Sequence, residues 1–487
     1  MGFYRRCDGL NTVQRRISVI MTKRKPIRRG AFGRGLAVSL AGARAGGALA
    51  FDGALRRLRG DDGDGAEVLA REAQRFATRL GELKGTYVKI GQMLALLGEH
   101  FLPPEVTRAL HGLAAGTEPL AWSDIEPVVA DALGSRMQEL DIEPQAIAAA
   151  SLAQVHRARV KKTGQILALK VQYPDLRDVI DDDFDAAIRM LRLTRWLPAG
   201  REVDRWLETM RTELHREVDY PRELAMAGRF SKALADLEHC TIAGMQPLIP
   251  NYHRRWCADN VLAMDFVEGL PVTNVAVLAL PQAVRNDLGR TMLDLFFKEV
   301  FDWSLMQADP NFGNYLIAED GLSLTLLDFG SVMTLAPAFR QALADAIVAA
   351  LAQNQAALVD ALIRLGCLRK NSGAQARETF VQFIEHVIEP LQPPARLPKA
   401  YLNADGDYQW GASQLMTRAG KRAAGSATSR QFTLPSEDFA LLVRKLTGVF
   451  TFIAVLDAQF NGWPLLAPYL NRQNTGAEDL VGATNDG

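Results

Sequence analysis

Gln307-Ala308-Asp309-Pro310-Asn311-Phe312-Gly313-Asn314, followed by Leu326-Leu327-Asp328-Phe329-Gly330, is the stretch on which the reading of this chain turns. It sets an aspartate and an asparagine five positions apart, then puts a second aspartate at the end of a short apolar run, Ser323 to Leu327. Moving a phosphoryl group requires a carboxylate to orient the nucleophile, oxygen ligands for a Mg²⁺ that bridges phosphates, and a cation facing the phosphate charge. Asp309 suits the first role, and Asn314 with Asp328 suits the second. Either motif alone is a commonplace turn. Their order, and the strand between them, make the combination specific.

Upstream, the cation is Lys170 in Ala168-Leu169-Lys170-Val171, where Ile166, Ala168 and Lys170 alternate with Leu167, Leu169 and Val171 along a predicted strand. A phosphate-contacting lysine needs a helix glutamate to hold it. The run Glu217-Val218-Asp219-Tyr220-Pro221-Arg222-Glu223 offers three acids. Glu223 is preferred, because it opens a helical run through Leu224, Ala227 and Phe230 while Pro221 suits the turn into it. The alternative is that these acids form only a solvated helix start.

Where glycines would cover the phosphates, the chain has Ala148-Ala149-Ala150-Ser151. Alanine is small enough for backbone to approach phosphate but disfavours the positive φ that glycine allows, so nucleotide is expected on a loop of altered shape. After the D-F-G, a helical pattern runs from Pro337 through Ala350. That leaves too little chain for an activation segment with its phosphosite and A-P-E anchor, and protein phosphorylation becomes the weaker use of the site.

Composition bounds the rest. A chain of 487 residues favours two or three packed units. Lysine plus arginine and aspartate plus glutamate each number 56, so no global field steers the protein toward nucleic acid. Cys7, Cys240, Cys257 and Cys367 form no CxxC pair, which argues against a disulfide framework or zinc ribbon and for a reducing compartment. No apolar run reaches the roughly 18 to 20 residues of a membrane span; Leu446 to Leu456 is the nearest in the C-terminal half and is too short. The basic N-terminus, with Arg5, Arg6, Arg15, Arg16, Lys23, Arg24, Lys25, Arg28 and Arg29, is expected to be a solvated tail or a peripheral contact with anionic lipid. A transit peptide is the minority alternative, Met21 is an alternative start, and no signal-peptide core follows. The expected location is cytoplasmic, with peripheral contact at the inner membrane allowed, or alternatively the mitochondrial matrix.

The predicted divisions are a basic, small-residue segment and linker at 1–64, a helical extension at 65–135, a small lobe with a helical insert at 136–269, a helical large lobe at 270–472 and a tail at 473–487. Leu69, Phe76, Leu80 and Leu83, then Tyr87, Ile90 and Leu94, repeat at helical spacing as one helix or a helix pair. Ile147 to Val160 and Gln165 to Gln172 read as a hairpin, and Val261 to Val267 as a further apolar run. From Leu280 the chain reads almost wholly helical apart from Ser323 to Leu327, with Val284, Leu288, Met292 and Leu295 as one buried stripe. Gly420 to Gln431 reads as a polar loop.

Together with Lys89-Ile90-Gly91-Gln92, these motifs make the chain resemble the UbiB-like atypical kinases, also called the AarF-domain kinase family, which are associated with ubiquinone (coenzyme Q) biosynthesis. The resemblance spans residues 65–470 and includes Lys170-Val171-Gln172-Tyr173-Pro174 and the E-x-D of Glu217 and Asp219. Gln307-Ala308-Asp309-Pro310-Asn311 looks closer to the mitochondrial coenzyme-Q branch than to the H-A-D-P-H-P-G-N form of bacterial members. The resemblance implies an α+β, protein-kinase-like two-lobed fold, mainly helical, with a helical N-terminal extension over the active site.

It further implies ATP and Mg²⁺ as cofactors. The implied nucleotide-binding set is Lys89, Gln92, Ala148, Ala149, Ala150, Ser151, Lys170, Glu217, Asp219 and Met264, with Asn314 and Asp328 on the metal and Asp309, Lys170 and Glu223 as catalytic residues. The implied function is a Mg²⁺-dependent ATPase or small-molecule or lipid kinase supporting ubiquinone biosynthesis, acting on a lipid or quinone precursor. The alternative is a nucleotide-gated scaffold that binds lipid intermediates or quinone-biosynthesis enzymes without phosphoryl transfer. Met226 stands where the family's asparagine is expected, and the C-terminal membrane helices of some members are not expected here.

Overall fold

The computed structural model describes residues 65–83, 85–97, 102–114, 118–236, 245–419 and 436–470. The basic N-terminal segment, the loop Gly420 to Gln431 and the 473–487 tail lie outside them.

The first apolar stripe forms two helices, α1 (Gly65–Leu83) and α2 (Thr86–Leu97). Gly85, at φ +57°, turns the chain between them, a backbone conformation that costs a glycine little. Both helices rest on α3 (Pro104–His111), which starts on a proline whose missing N–H would have had no helical partner. Gly91 of the K-x-G-Q motif has a packing role here: a Cβ at that position would come within 2.3 Å of Leu113 Cδ1. After α4 (Trp122–Leu133) the chain enters a sheet of β1 (Leu140–Ala149), β2 (Ala153–Val160), β3 (Ile166–Gln172) and, last in spatial order, the later strand of residues 261–265.

The alternation read along β3 has a direct consequence. Leu167, Leu169 and Val171 are fully buried on one face of the sheet, while Ala168 and Lys170 turn to the other, toward the cleft. The buried face shares one hydrophobic core with Phe76, Leu80, Tyr87, Ile90 and Leu94 of the extension. A small sheet needs an apolar layer against it, and here the extension helices help to provide it. Helices α5 (Leu176–Leu193) and α6 (Arg201–Glu217) join the same core. Helix α7 (Tyr220–Ala235) follows, with Phe230 already packed into a second core.

That second core is the large lobe. Short strand β4 (Gln246–Leu248) and strand β5 (Val261–Asp265) lead into α8 (Gln282–Phe297), where Leu288, Met292 and Leu295 are buried as the stripe predicted. The strand expected at Ser323 to Leu327 is β8 (Ser323–Leu326), and the expectation of an otherwise helical remainder is corrected by β6 (Leu305–Gln307), β7 (Tyr315–Ile317) and β9 (Val332–Thr334). Strands of three residues are too short to show a period of two in sequence, and they exist because β6 pairs with β9 and β7 with β8. Helices α9 (Pro337–Leu351), α10 (Gln355–Arg364), α11 (Ala374–Val387) and α12 (Glu437–Val455) complete the lobe. The apolar run that begins at Leu446 lies in α12 and buries Val449, Phe450, Phe452 and Ile453 in this core.

Candidate active site

Strand β3 and helix α7 bring Lys170 and Glu223 together. Lys170 Nζ donates to both Glu223 carboxylate oxygens, at 2.9 and 3.1 Å, and to Asp328 Oδ2 at 2.8 Å. Burial opposes the lysine charge, but the facing Asp328 and Glu223 carboxylates outweigh it and hold the Lys170 pKa well above the ordinary value. Glu223 is 1% exposed, and burial pushes its carboxyl up to about 7 against the pull of Lys170. Burial also works against the charge of Asp328, yet Lys170 holds its pKa below the ordinary value.

The segment carrying Asp328 is fixed from several sides. Gly330 N–H donates to Asp328 Oδ1 at 2.9 Å, and Arg222 of α7 donates to the carbonyls of Gly330 and Val332. Phe329 is fully buried against Phe230, with ring centroids 5.0 Å apart, so α7 grips both the lysine and the D-F-G. The neighbouring loop is tied to it through backbone: Ala308 N–H reaches Ser331 O at 2.8 Å, and Leu327 N–H reaches Asn314 O at 3.0 Å.

Asp309 Oδ2 accepts from Asn314 Nδ2 at 3.0 Å, and its Oδ1 accepts from Arg444 Nη2 at 2.9 Å. Because the Asn314 amide nitrogen is committed to Asp309, its amide oxygen is the atom left for a cation. A carboxylate and an amide oxygen form the hard donor set that suits Mg²⁺ in company with phosphate oxygens and water, so these residues fit the metal.

From the extension, Lys89 of α2 forms an ion pair with Glu217 at the end of α6. Burial opposes the Lys89 charge, but the negative charges of Glu217 and then Asp309 outweigh it and raise its pKa above the ordinary value. Two residues of the implied set have hydrogen bonds within the protein. Gln92 donates to Leu113 O at 3.4 Å; three residues on from Lys89, it is rotated around the helix toward α3 and the turn after it. Asp219 caps α7, accepting from Arg222 N–H at 3.1 Å, so its carboxylate serves the helix start.

Ala148 and Ala149 end β1, paired with Val155 and Gln154, and Ala150 with Ser151 makes the turn. No residue of this turn takes a positive φ. The turn is instead held by hydrogen bonds: Ala150 N–H to Ala153 O at 2.8 Å, Tyr173 N–H to Leu152 O at 3.0 Å and Tyr173 Oη–H to Ala150 O at 3.1 Å. Met264 lies on β5 opposite Ala168, 6% exposed, in a cluster with Tyr220, Leu224 and Tyr252. Met226, in the asparagine position, packs against the large-lobe core.

Sequence reasoning missed Arg444 and its neighbour Lys445. Both lie in α12, just ahead of the apolar run Leu446 to Leu456, and Arg444 is 135 positions from Asp309. No spacing rule links positions so far apart.

A strand lysine joined across a cleft to a D-F-G aspartate defines a kinase-like fold that handles phosphate, and the alanine turn and overlying helices set this chain apart from conventional kinases. The description of the ABC1 atypical kinase-like domain matches residues 112–362, just over half of the chain, and the chain belongs to that family. Family membership implies nucleotide binding.

The chain is 27% identical over 401 residues to the mitochondrial atypical kinase COQ8 of Schizosaccharomyces pombe, covering 81% of this chain and 62% of that protein. It is 29% identical over 401 residues to the mitochondrial atypical kinase COQ8B of Rattus norvegicus, covering 82% and 71%. Among solved structures, the erythromycin complex of Rv3197 from Mycobacterium tuberculosis aligns with a TM-score of 0.55 and 22% identity, over 82% of this chain and 96% of that one. The fold is therefore mixed α+β, mainly helical, with helices ahead of two kinase-like lobes. Among the described residues no helix is long and apolar enough to cross a membrane.

Proposed function

We propose that this protein is a Mg²⁺-dependent atypical kinase that hydrolyses ATP or transfers its terminal phosphoryl group to a small-molecule or lipid acceptor, in support of ubiquinone biosynthesis. The observation that carries the proposal is the junction at Lys170, which meets Glu223 and Asp328 at 2.8 to 3.1 Å. In this reading Lys170 contacts the α- and β-phosphates, Glu223 holds it there, and Asp309 orients the nucleophile. Asn314 and Asp328 would hold Mg²⁺, which supplies neutralising charge to the phosphate oxygens when bound. The alanine turn and Met264 line the nucleotide side of the cleft.

The nature of the acceptor is argued from what surrounds Asp309. Its carboxylate is held by Asn314 and Arg444, Lys89 of the extension is ion-paired with Glu217, and only residues 331–336 separate the D-F-G from α9. A protein acceptor needs a docking platform of the kind an activation segment builds, whereas a small head group needs none. The ubiquinone setting comes from the family resemblance and from the similarity to COQ8 proteins.

Purified protein is expected to consume ATP slowly without a protein substrate, and Asp328→Asn is expected to abolish this. Unchanged turnover in that variant would sink the assignment. A deletion strain complemented with Asp328→Asn should accumulate the same quinone precursors as the uncomplemented strain.

A second reading has its own observation. Lys170 and Asp328 neutralise each other at 2.8 Å, so a nucleotide must part them, and its binding would act as a conformational signal for a scaffold. Nucleotide-dependent partner affinity that survives Asp309→Asn would favour this reading over catalysis.

A further inference from the structure

Helix α12 touches the Asp309 loop through three side-by-side positions. Arg444 donates to Asp309 Oδ1 at 2.9 Å. Gly448, one turn on, lies so close that a Cβ there would sit 2.1 Å from Pro310 Cβ. Lys445, 1% exposed, is ion-paired with the fully buried Glu299 at 3.1 Å and donates to Tyr315 Oη at 3.1 Å.

Lys445 begins a chain of hydrogen bonds that reaches the proposed metal site. Tyr315 Oη–H donates to Gln307 Oε1 at 2.8 Å, and Gln307 Nε2 donates to the carbonyl of Asp328 itself. Gln307 N–H in turn donates to Glu299 Oε2 at 3.1 Å. Every member from Lys445 to Gln307 is buried, so the network has no water to relax into, and a half-satisfied version would be costly.

We propose that α12 is the positioning element of the centre, with Arg444 aiming Asp309 and Lys445, through Glu299, Tyr315 and Gln307, fixing the backbone that carries Asp328. The assignment rests on the roles given above to Asp309 and Asp328. Arg444 and Lys445 are positioning residues: they act through the loop, and neither is assigned a contact with phosphate. Gly448 permits the arrangement, since any side chain there would push the helix off Pro310.

The test uses the full-length protein. Arg444→Gln should lower kcat about 100-fold while KM for ATP stays within about twofold, as expected when a reacting group is misaimed rather than lost. Arg444→Lys should recover part of kcat. Without nucleotide, amide hydrogen exchange in residues 305–315 should quicken in Arg444→Gln, while the β2 and β3 amides keep their protection. Lys445→Met should lose stability, and Lys445→Met/Glu299→Gln should regain it by removing the unpaired buried charge without regaining kcat.

Unchanged exchange in the 305–315 segment for both Arg444→Gln and Lys445→Met overturns the proposal. So does a double variant whose kcat returns together with its melting temperature, which would make the network merely structural. Wild-type turnover in Asp328→Asn instead sinks the phosphoryl-transfer reading, while the exchange result still decides on α12.

Discussion

Lys170 Nζ lies 2.8 Å from Asp328 Oδ2, so β3 of the small lobe and the D-F-G segment of the large lobe are joined by a direct ion pair. With Glu223 on its other side, the lysine carries charge balance for two carboxylates from opposite lobes. One side chain thus links the small lobe, α7 and the D-F-G segment.

Lys170→Met should leave Glu223 buried without a cation and cost about 3 kcal/mol of small-lobe stability, the usual price of breaking a buried pair. Adding Glu223→Gln should return much of it. Urea unfolding of the two variants provides the comparison, and equal loss in both would mean that the pair contributes little.

Lys89 should matter through charge. Lys89→Met leaves Glu217 unpaired, adding negative potential at the proposed phosphate site of Asp309 and Asp328. ATP affinity is expected to fall about tenfold, or about 1.4 kcal/mol, and Lys89→Met/Glu217→Gln should restore most of it. Calorimetric binding of the four proteins in the cycle gives the coupling.

Tyr173→Phe removes the hydroxyl that donates to Ala150 O. The turn loses about 1 kcal/mol of hydrogen bonding, and KM for ATP should rise about fivefold with kcat little changed. A KM equal to wild type would show that the remaining backbone bonds hold the turn unaided.

His156 predicts a pH dependence. It is fully buried, with Nδ1 2.8 Å from Glu143 O and Nε2 2.8 Å from Gln154 Nε2, and burial pushes its pKa below the ordinary 6.5. The folded protein then refuses a proton that the unfolded chain accepts, so this contribution to stability is complete above about pH 6.5 and declines as pH falls below it. The slope contributed is at most about 1.4 kcal/mol per pH unit. Urea midpoints measured between about pH 7 and 5 should show it, and His156→Gln should flatten it.

Much of the fold could be read because it rests on local periodicity. The alternation along Ile166 to Val171 faces Lys170 into the cleft, and Val284, Leu288, Met292 and Leu295 at helical spacing mark α8. The strands β6, β7 and β9 could not be read, because three residues have no periodicity and pairing alone makes them strands. Among the acids, Glu223 was preferred because it opens a helical run after Pro221, whereas the capping role of Asp219 appears only in the structure.

The motifs in order, D-x-x-x-x-N and D-F-G behind a strand lysine, were enough to mark out a kinase-like phosphate site, since the chemistry demands those groups and the local backbone presents them. Only the tertiary structure decided what each charge pairs with. Arg444 on Asp309, Lys89 on Glu217 and Lys445 on Glu299 are unions between distant segments. Helical spacing names the face on which a residue lies but not the element that will cover it, and a charge that packing removes from water is held by whatever partner that packing supplies.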